Sequence, residues 1–327
     1  MPVIDIHNHH TPRRFRDAVQ NGGTWHTLTA QVGELHFPKF SIAAEDRIAE
    51  MDELGVDVHV LTVNTGFFKY ELDPQLTKVI ARECNEEIAE MMHAHPDRFT
   101  GLATVPMQDV PLAIAEMKFA MAELGYRGIT IGDHVDGAML DEPRFLPFWE
   151  AVEELGAVVF FHQCSATVVE FRTPRYGLPN SIGNLTERAI TFGTLVFGGV
   201  MDRFPGLKIC LGHAGGYAAF GAARMDRAWQ SGAQENNPEF NDTRTNTLQA
   251  PPSSYLSRFY YDSCTYTEGT LRFLLDTVGS DRVVLGTDYP APMMLENCVR
   301  WINGLPGLTP EEKEGILSTN PARLLGL

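Results

Sequence analysis

Residues 157–163, AVVFFHQ, form a short apolar run that ends at a histidine. Such a run is typical of a parallel strand that is buried on both faces. Residues 3–10, VIDIHNHH, have a similar arrangement near the start of the chain. Short β-rich runs alternate with longer segments of helical period, which favours a parallel sheet wrapped by helices.

We predict eight strands, each followed by a helical segment, and therefore a closed (β/α)₈ TIM barrel of the α/β class rather than an open sheet. The predicted strands are residues 3–6, 57–63, 99–105, 128–131, 157–161, 207–211, 259–263 and 282–286. No internal repeat points to a second domain, so we predict one domain over residues 1–327. We expect a long insertion after strand 1, residues 11–40, and a polar surface excursion, residues 230–252.

The composition limits the partners. Lys and Arg total 26 against 42 Asp and Glu, a formal charge of −16, which argues against nucleic acid or an anionic membrane surface as the main partner. The five cysteines are scattered without a CxxC spacing, so they indicate neither a zinc knuckle nor a disulfide framework. We find no signal-peptide pattern and no apolar run near the ~20 residues that span a bilayer. We expect a reduced, cytoplasmic protein.

Histidines at the predicted strand ends mark a candidate site. Reactive groups of a barrel lie at the carboxyl ends of its strands, and four histidines fall there: His7, His9, His162 and His213. Residues two apart in an extended chain face the same side, so His7 and His9 can point at one ion. His10 is a competing ligand.

Asp288 follows strand 8 in VVLGTDYP, as His162 follows strand 5. Taken alone, His162 could be a polar plug at the barrel rim, and Asp288 could form an Asx turn or cap a helix. Three imidazoles and one carboxylate from strands 1, 5 and 8 would, however, converge at one end of a barrel. We predict one divalent metal, with zinc favoured and manganese, iron or cobalt also suited. The predicted ligands are His7, His9, His162 and Asp288.

His213 lies in LKICLGHAGG, after strand 6. A histidine beside a metal can exchange a proton with bound water or substrate near neutral pH, so we predict an acid–base role. A fifth ligand role is an alternative, and the glycines could simply serve a tight turn. Strand 4 ends in RGITIGD, without the Lys or Glu that many two-metal hydrolases of this architecture carry. One metal is therefore favoured, with Asp133 as an open alternative ligand.

Together these motifs resemble the amidohydrolase superfamily, and within it the branch of aminocarboxymuconate semialdehyde decarboxylase and the benzoate-type decarboxylases. The matching blocks are DIHNHH, VVFFHQ, LKICLGHAGG with ARMDRAW, and DRVVLGTDYP with NPARLL. They extend from the first strand to the last helix. The resemblance implies the four ligands above, a water completing the shell, and proton transfer through His213. It also implies that Arg224 holds a substrate carboxylate in a neighbouring subunit, and hence a homodimer; a solvated helix residue is the alternative.

Three departures limit what the resemblance implies about the substrate. Gln163 stands where close relatives often have proline, and Gly232 stands where a second neighbour-subunit arginine is expected. Lys39 is found where the semialdehyde decarboxylase supplies another arginine. We therefore do not predict the semialdehyde as the substrate.

We predict a metal-dependent non-oxidative decarboxylase of a small unsaturated or aromatic carboxylic acid, in which His213 or Asp288 protonates carbon. A metal lowers the pKa of bound water to about 7, which serves hydrolysis equally well. The principal alternative is thus a hydrolase or hydratase of a small amide, ester, lactone or unsaturated acid. A non-catalytic metal-binding or ligand-sensing barrel is a third possibility, which His213 beside an open site disfavours.

Two loops are predicted to shape the pocket. The loop after strand 5 carries Arg172, Arg175 and Tyr176, which could clamp a substrate carboxylate or equally face solvent. In the insertion of residues 11–40, we expect Trp25 and His26 to cover the pocket, with surface packing as the alternative.

Overall fold

Eight parallel strands form the centre of the fold. The structure is a computed structural model that describes residues 1–30, 37–163, 167–231 and 248–327. The strands pair in chain order, in one run of three and one of five. Their bounds are β1 Ile4–His10, β2 Val58–Val63, β3 Phe99–Gly101, β4 Gly128–Ile131, β5 Val158–Phe161, β6 Lys208–Leu211, β7 Phe259–Asp262 and β8 Val283–Val284.

Two short contacts join these runs into one closed barrel. Ala103 pairs in parallel with Ile129, between β3 and β4. Asn8 pairs in parallel with Tyr289, between β1 and the segment after β8, and the N–H of His9 donates to the carbonyl of Tyr289 at 2.7 Å. The predicted (β/α)₈ barrel is confirmed.

Helices surround the strands, with ends that follow from the sequence. Asp73 and Asp109 accept hydrogen bonds from the first N–H groups of the third and fourth helices, as N-capping aspartates do. Gly55 and Gly156 end the second and fifth helices in the left-handed conformation, which glycine adopts without a Cβ penalty. The helices are α1 Arg13–Val19, α2 Ala44–Leu54, α3 Pro74–Ala94, α4 Val110–Glu123, α5 Leu146–Leu155, α6 Asn184–Phe197, α7 Val200–Arg203, α8 Ala218–Ser231, α9 Glu268–Val278, α10 Cys298–Gly304, α11 Pro310–Glu314 and α12 Asn320–Leu325.

The first strand differs from its prediction. β1 continues to His10 instead of ending at Ile6, because it stays paired with β2 beyond a register shift between Asp5 and Asn8. The two predicted ligands of this segment therefore lie within the strand and not after it. Each of the other seven predicted strands contains the observed one.

The barrel is packed at one end and open at the other. A cluster of apolar side chains joins Ile4 and Ile6 of β1 with Phe160 of β5 and Leu324 of α12. A larger cluster lies between the strands and the surrounding helices.

None of the described helices has both the length and the apolar character that crossing a membrane requires. Most of the predicted surface excursion, residues 232–247 with Gly232, lies outside the described residues.

Candidate active site

The four predicted metal ligands meet at the carboxyl end of the barrel. His7 and His9 belong to β1, His162 follows β5, and Asp288 follows β8. All four are buried, and their ligand atoms lie within 4.8 Å of one another. The Nε2 atoms of His9 and His7 lie 3.1 and 3.3 Å from Asp288 Oδ1. Two ligands that share a shell of radius about 2.1 Å are separated by roughly 3.0–3.4 Å, so the spacing suits one ion.

Hydrogen bonds hold the three imidazoles by their Nδ1 atoms. His7 Nδ1 donates to Asp262 Oδ2 at 2.6 Å. His9 Nδ1 lies 3.2 Å from Thr62 Oγ1, and His162 Nδ1 lies 3.4 Å from the carbonyl of Gln163. A partner on one ring nitrogen fixes the tautomer and leaves the other nitrogen free for a metal.

Two buried ring nitrogens in the site have no hydrogen-bond partner, as expected of atoms that bind a cation. His7 Nε2 and His162 Nε2 are buried and make no hydrogen bond, a state that is costly for a polar atom unless a ligand satisfies it. Three imidazoles and one carboxylate also form a donor set that suits zinc and related divalent ions. The residues present therefore fit a single divalent metal.

The electrostatics of the site favour a positive charge. Burial lowers the pKa of His9 and of His162, so both imidazoles are neutral near pH 7. Burial also acts to lower the pKa of His7, but Asp288 and Asp262 outweigh it and raise this pKa to about 10. Burial alone would raise the pKa of Asp288, but the histidines hold it well below its usual range. A divalent cation would take the place of the proton on His7.

Arg47 fixes the end of β1 behind the ligands. Its Nη1 and Nη2 atoms both donate to the carbonyl of His9 at 3.0 Å, and Nε donates to His59 Nδ1 at 3.2 Å. The guanidinium also lies 4.8 Å from the ring centroid of Tyr289. This fully buried arginine ties β1 to β2 and to the segment after β8, which limits movement of His9.

His213 faces the same space as the four ligands. Its Nε2 atom lies 3.8 Å from Asp288 Oδ2, and its ring centroid is 4.9 Å from that of His162. The residue stands in a turn with φ of +54° and is followed by glycines at positive φ. A Cβ atom at Gly216 would collide with the carbonyl of Leu185 in α6. Glycine therefore lets the turn after His213 pack closely against this helix.

Sequence reasoning missed Asp262, the last residue of β7. Its carboxylate accepts the hydrogen bond from His7 and also the N–H groups of His213 and Ala214, at 2.8 and 2.6 Å. Burial alone would raise the pKa of Asp262, but the hydrogen bond and charge of His7, together with the backbone N–H of Ala214 and the nearby His213, outweigh burial and lower the pKa. Its position in the sequence could have identified it, because a carboxylate at the end of a predicted barrel strand is expected to lie at the catalytic face.

A cleft opens above the ligands. Phe37 and Phe40 from the insertion after β1 line it, as do the amide side chains of Gln163, Asn180 and Asn184. Polar groups from several elements therefore converge with two aromatic rings in one concave site, an arrangement that can bind and orient a small molecule.

The prediction that Trp25 and His26 cover the pocket was wrong. Trp25 is buried against Phe15 and Phe67, with ring centroids 5.9 Å from each, and His26 Nε2 lies 2.9 Å from Glu83. Neither residue lines the cleft. The insertion does contribute to the cleft, but through residues nearer its end, because the large indole is more stable in the apolar core.

The structure does not bring the predicted substrate-binding residues to the cleft of their own chain. Arg172, Arg175 and Tyr176 are exposed, because the loop after β5 carries them into solvent, where Arg175 stacks on the Tyr176 ring. Arg224 is exposed on α8. The clamp role of the first three and the role of Arg224 toward a neighbouring subunit stay predictions.

Two alternative ligands have other partners. His10 Nε2 lies 3.1 Å from Glu87 Oε1, and Asp133 binds Arg188 and Thr191. Neither joins the group of four donor atoms. The four side chains predicted from strands 1, 5 and 8 therefore come together without them, and their role as ligands stays a prediction.

Fold and site together define a class, a (β/α)₈-barrel enzyme with its reactive groups at the carboxyl ends of the strands. A model of the family described as Amidohydrolase matches residues 4–327. The chain belongs to this family.

Several proteins that this chain resembles in sequence or structure are decarboxylases. A 2-amino-3-carboxymuconate-6-semialdehyde decarboxylase of Dictyostelium discoideum is 32% identical, over 99% of this chain and 91% of that protein. The crystal structure of 5-carboxyvanillate decarboxylase from Sphingomonas paucimobilis is 25% identical and superposes with a TM-score of 0.85, covering 100% and 99% of the two chains. The Novosphingobium aromaticivorans enzyme of the same name was crystallised with manganese and 4-hydroxy-3-methoxy-5-nitrobenzoic acid. It is 24% identical, with a TM-score of 0.86 over 100% and 96% of the two chains.

These relatives confirm the predicted family and the predicted enzyme class. The chain is an enzyme that falls among the non-oxidative decarboxylases of the amidohydrolase family.

Proposed function

We propose that the protein removes carbon dioxide from a small aromatic or unsaturated carboxylic acid that binds in the cleft beside one divalent metal. One observation carries the proposal: the donor atoms of four side chains converge below a cleft that His213 also lines. The decarboxylases among the relatives support this chemistry over hydrolysis.

His7, His9, His162 and Asp288 would hold the metal. When bound, the metal supplies a Lewis acid that draws electron density from substrate oxygens as carbon dioxide leaves. We propose zinc, because the donor set is rich in imidazole. Manganese is the principal alternative, since it is bound in the related Novosphingobium enzyme. Metal analysis of purified protein decides between them.

His213 would deliver the proton that replaces the carboxylate. The carbon that loses carbon dioxide keeps the bonding electron pair and must gain a proton. His213 Nε2 faces the cleft from the edge of the ligand group, and histidine transfers protons readily near neutral pH. Phe37 and Phe40, which line the cleft, would pack on the ring or chain of the substrate and exclude water.

Product analysis tests the reaction. We expect the metal-loaded enzyme to release carbon dioxide from members of a panel of hydroxybenzoates and unsaturated acids. His213→Gln should lower kcat by about 100-fold or more with its metal content unchanged. Esters, amides and lactones serve as the matched panel. Cleavage of these in labelled water, without release of carbon dioxide from any acid, would show that the enzyme is a hydrolase.

We also propose a homodimer in which Arg224 binds the substrate carboxylate of the neighbouring site. Arg224 is exposed on α8, and among the described residues that line the cleft there is no lysine or arginine. Mixing inactive Arg224→Ala and His213→Gln proteins, after dissociation and reassociation, should restore activity. In a mixed dimer one site has an intact His213 and receives Arg224 from its partner. A protein that stays monomeric in sedimentation, or mixtures that stay inactive, would contradict this role.

A cytoplasmic location is our proposal for the same protein. It is supported by the cysteines, since Cys84, Cys210, Cys264 and Cys298 are all free, as expected in a reducing compartment. Fractionation of the source cells tests this proposal.

A further inference from the structure

Asp262 touches both functional parts of the candidate active site. It is fully buried at the end of β7. Its Oδ2 atom accepts from His7 Nδ1 at 2.6 Å and from the N–H of His213 at 2.8 Å. Its Oδ1 atom accepts the N–H groups of Ala214 at 2.6 Å and of Cys264 at 3.1 Å. One carboxylate therefore contacts a proposed metal ligand and the backbone of the proposed proton donor.

The backbone that Asp262 holds is strained. His213 and Ala214 have φ values of +54° and +56°, in the left-handed region that residues other than glycine seldom adopt. Such a conformation persists only where surrounding contacts impose it. Both N–H groups of this turn donate to Asp262, so the carboxylate supplies that constraint.

The backbone at Gly286 approaches Asp262 and His7 closely. β8 and the residues after it run directly beside the carboxylate, and a Cβ atom at Gly286 would lie 2.7 Å from Asp262 Cβ and 2.8 Å from His7 Cβ. The absence of a side chain at Gly286 allows this close approach. The backbone at Gly286 thus packs against both Asp262 and His7, which are also joined by their hydrogen bond.

We propose that Asp262 is a positioning residue that couples the metal site to the proton donor. Through His7 it keeps the proton on Nδ1, so that Nε2 faces the metal, and through the turn it aims His213 at the cleft. A carboxylate behind a histidine ligand is a general means of orienting that ligand. The inference rests on the proposed roles of His7 and His213, and it assigns no contact with substrate to Asp262.

An alternative is that Asp262 binds a metal itself. One of its oxygens, a ring nitrogen of His7 and Cys264 Sγ also lie within 4.8 Å of one another. These atoms already have partners, since Cys264 Sγ donates to the carbonyl of Gly286 at 3.2 Å and Asp262 accepts the hydrogen bonds above. Two equivalents of bound metal in the wild-type protein, one of them lost in Asp262→Asn, would overturn the positioning role.

Metal affinity gives the first test. The substitution Asp262→Asn keeps the size of the side chain, but its amide nitrogen cannot accept a hydrogen bond, so His7 Nδ1 or the turn loses an acceptor. We expect zinc affinity, measured by competition with a chelator, to fall about 10- to 100-fold. Glu116→Gln is the matched control, because Glu116 is a fully buried carboxylate that pairs with Arg82 far from the site. This control should bind zinc as the wild type does.

Ala214→Gly separates the two roles of Asp262. Glycine adopts positive φ without strain, so this change should restore part of the kcat that Asp262→Asn loses at saturating metal, without restoring metal affinity. In a His213→Gln background, Asp262→Asn should lower kcat no further, because the two residues act as one unit. If Asp262→Asn does not fold alone, the double variant with Ala214→Gly carries the metal measurement.

The outcomes are distinguishable. A folded Asp262→Asn protein that binds zinc within twofold of the wild type, or losses of kcat that add with His213→Gln, would overturn the positioning role. A wild-type protein that binds no divalent metal would instead overturn the proposed function itself.

Discussion

The chain passes the His7–Asp262 pair at Gly286, where a side chain has no room. A methyl group there would lie within 3 Å of two Cβ atoms that belong to neighbouring strands. Neither atom can move without its strand, so the contact cannot be relieved by a change of rotamer. Glycine at this position lets the backbone after β8 approach β1 and β7 as closely as the site requires.

We predict that Gly286→Ala lowers the free energy of unfolding by about 1–3 kcal/mol, as overpacking of a close-packed interior does, and weakens metal binding. Urea denaturation with and without metal measures both effects. Gly193→Ala in α6 is the control, because nothing lies within 4 Å of its added Cβ, and it should be neutral or stabilising. Equal stability of Gly286→Ala and the wild type would refute the packing argument.

At the scale of elements, Glu87 links α3 to the barrel and to the insertion. Glu87 accepts from His10 Nε2 at the end of β1 and from the backbone N–H groups of Arg13 and Arg14. Because α1 has no side-chain cap of its own, Glu87 satisfies its first donors. Burial alone would raise the pKa of Glu87, but these hydrogen bonds outweigh burial and lower it to about 2.

This shift predicts a dependence of stability on pH. The pKa of Glu87 is lower in the folded protein than its ordinary value of 4.5, so its stabilisation is complete above pH 4.5 and disappears as the pH falls toward 2. Glu87→Gln should lower the free energy of unfolding at pH 6 by on the order of 3 kcal/mol. This difference should shrink by about 2 kcal/mol at pH 3. A difference that is constant from pH 6 to pH 3 would contradict the assignment.

The sequence predicted strands correctly where the residues of one segment were enough to define them. The apolar runs that end at His162 and His213 define strands by themselves, and the barrel rule then places these histidines at one face. The extension of β1 to His10 was missed because it depends on pairing with β2. The partner of His7 was missed for the same reason: Asp262 lies 255 positions further along the chain, and only the closed barrel brings the two together.

The proposed metal would link three distant parts of the barrel: β1, the residue after β5, and the segment after β8. A ligand that binds only the folded state stabilises it by about 4 kcal/mol at a concentration a thousand times its dissociation constant. We therefore predict that chelation lowers the melting temperature of the entire barrel in one cooperative transition. Differential scanning calorimetry with and without zinc measures the shift.

His162→Leu is the control for that prediction. Leucine fills a similar volume without burying an unpaired nitrogen, so the variant without metal should be as stable as the wild type or more stable. Its melting temperature should not respond to zinc or to chelator. A variant that keeps the full response to zinc would show that His162 is not a ligand.

The barrel closes at the seam between β1 and the segment after β8, and this seam also sets the order of events during synthesis of the chain. His9 and Asp288 touch across this seam although they lie 279 positions apart. A nascent chain on the ribosome that has not yet emerged as far as Val283–Val284 offers at most three of the four donors. The complete set of four donors therefore forms only after Asp288 has left the exit tunnel and the segment after β8 has paired with β1, so an ion held by all four cannot bind before that point.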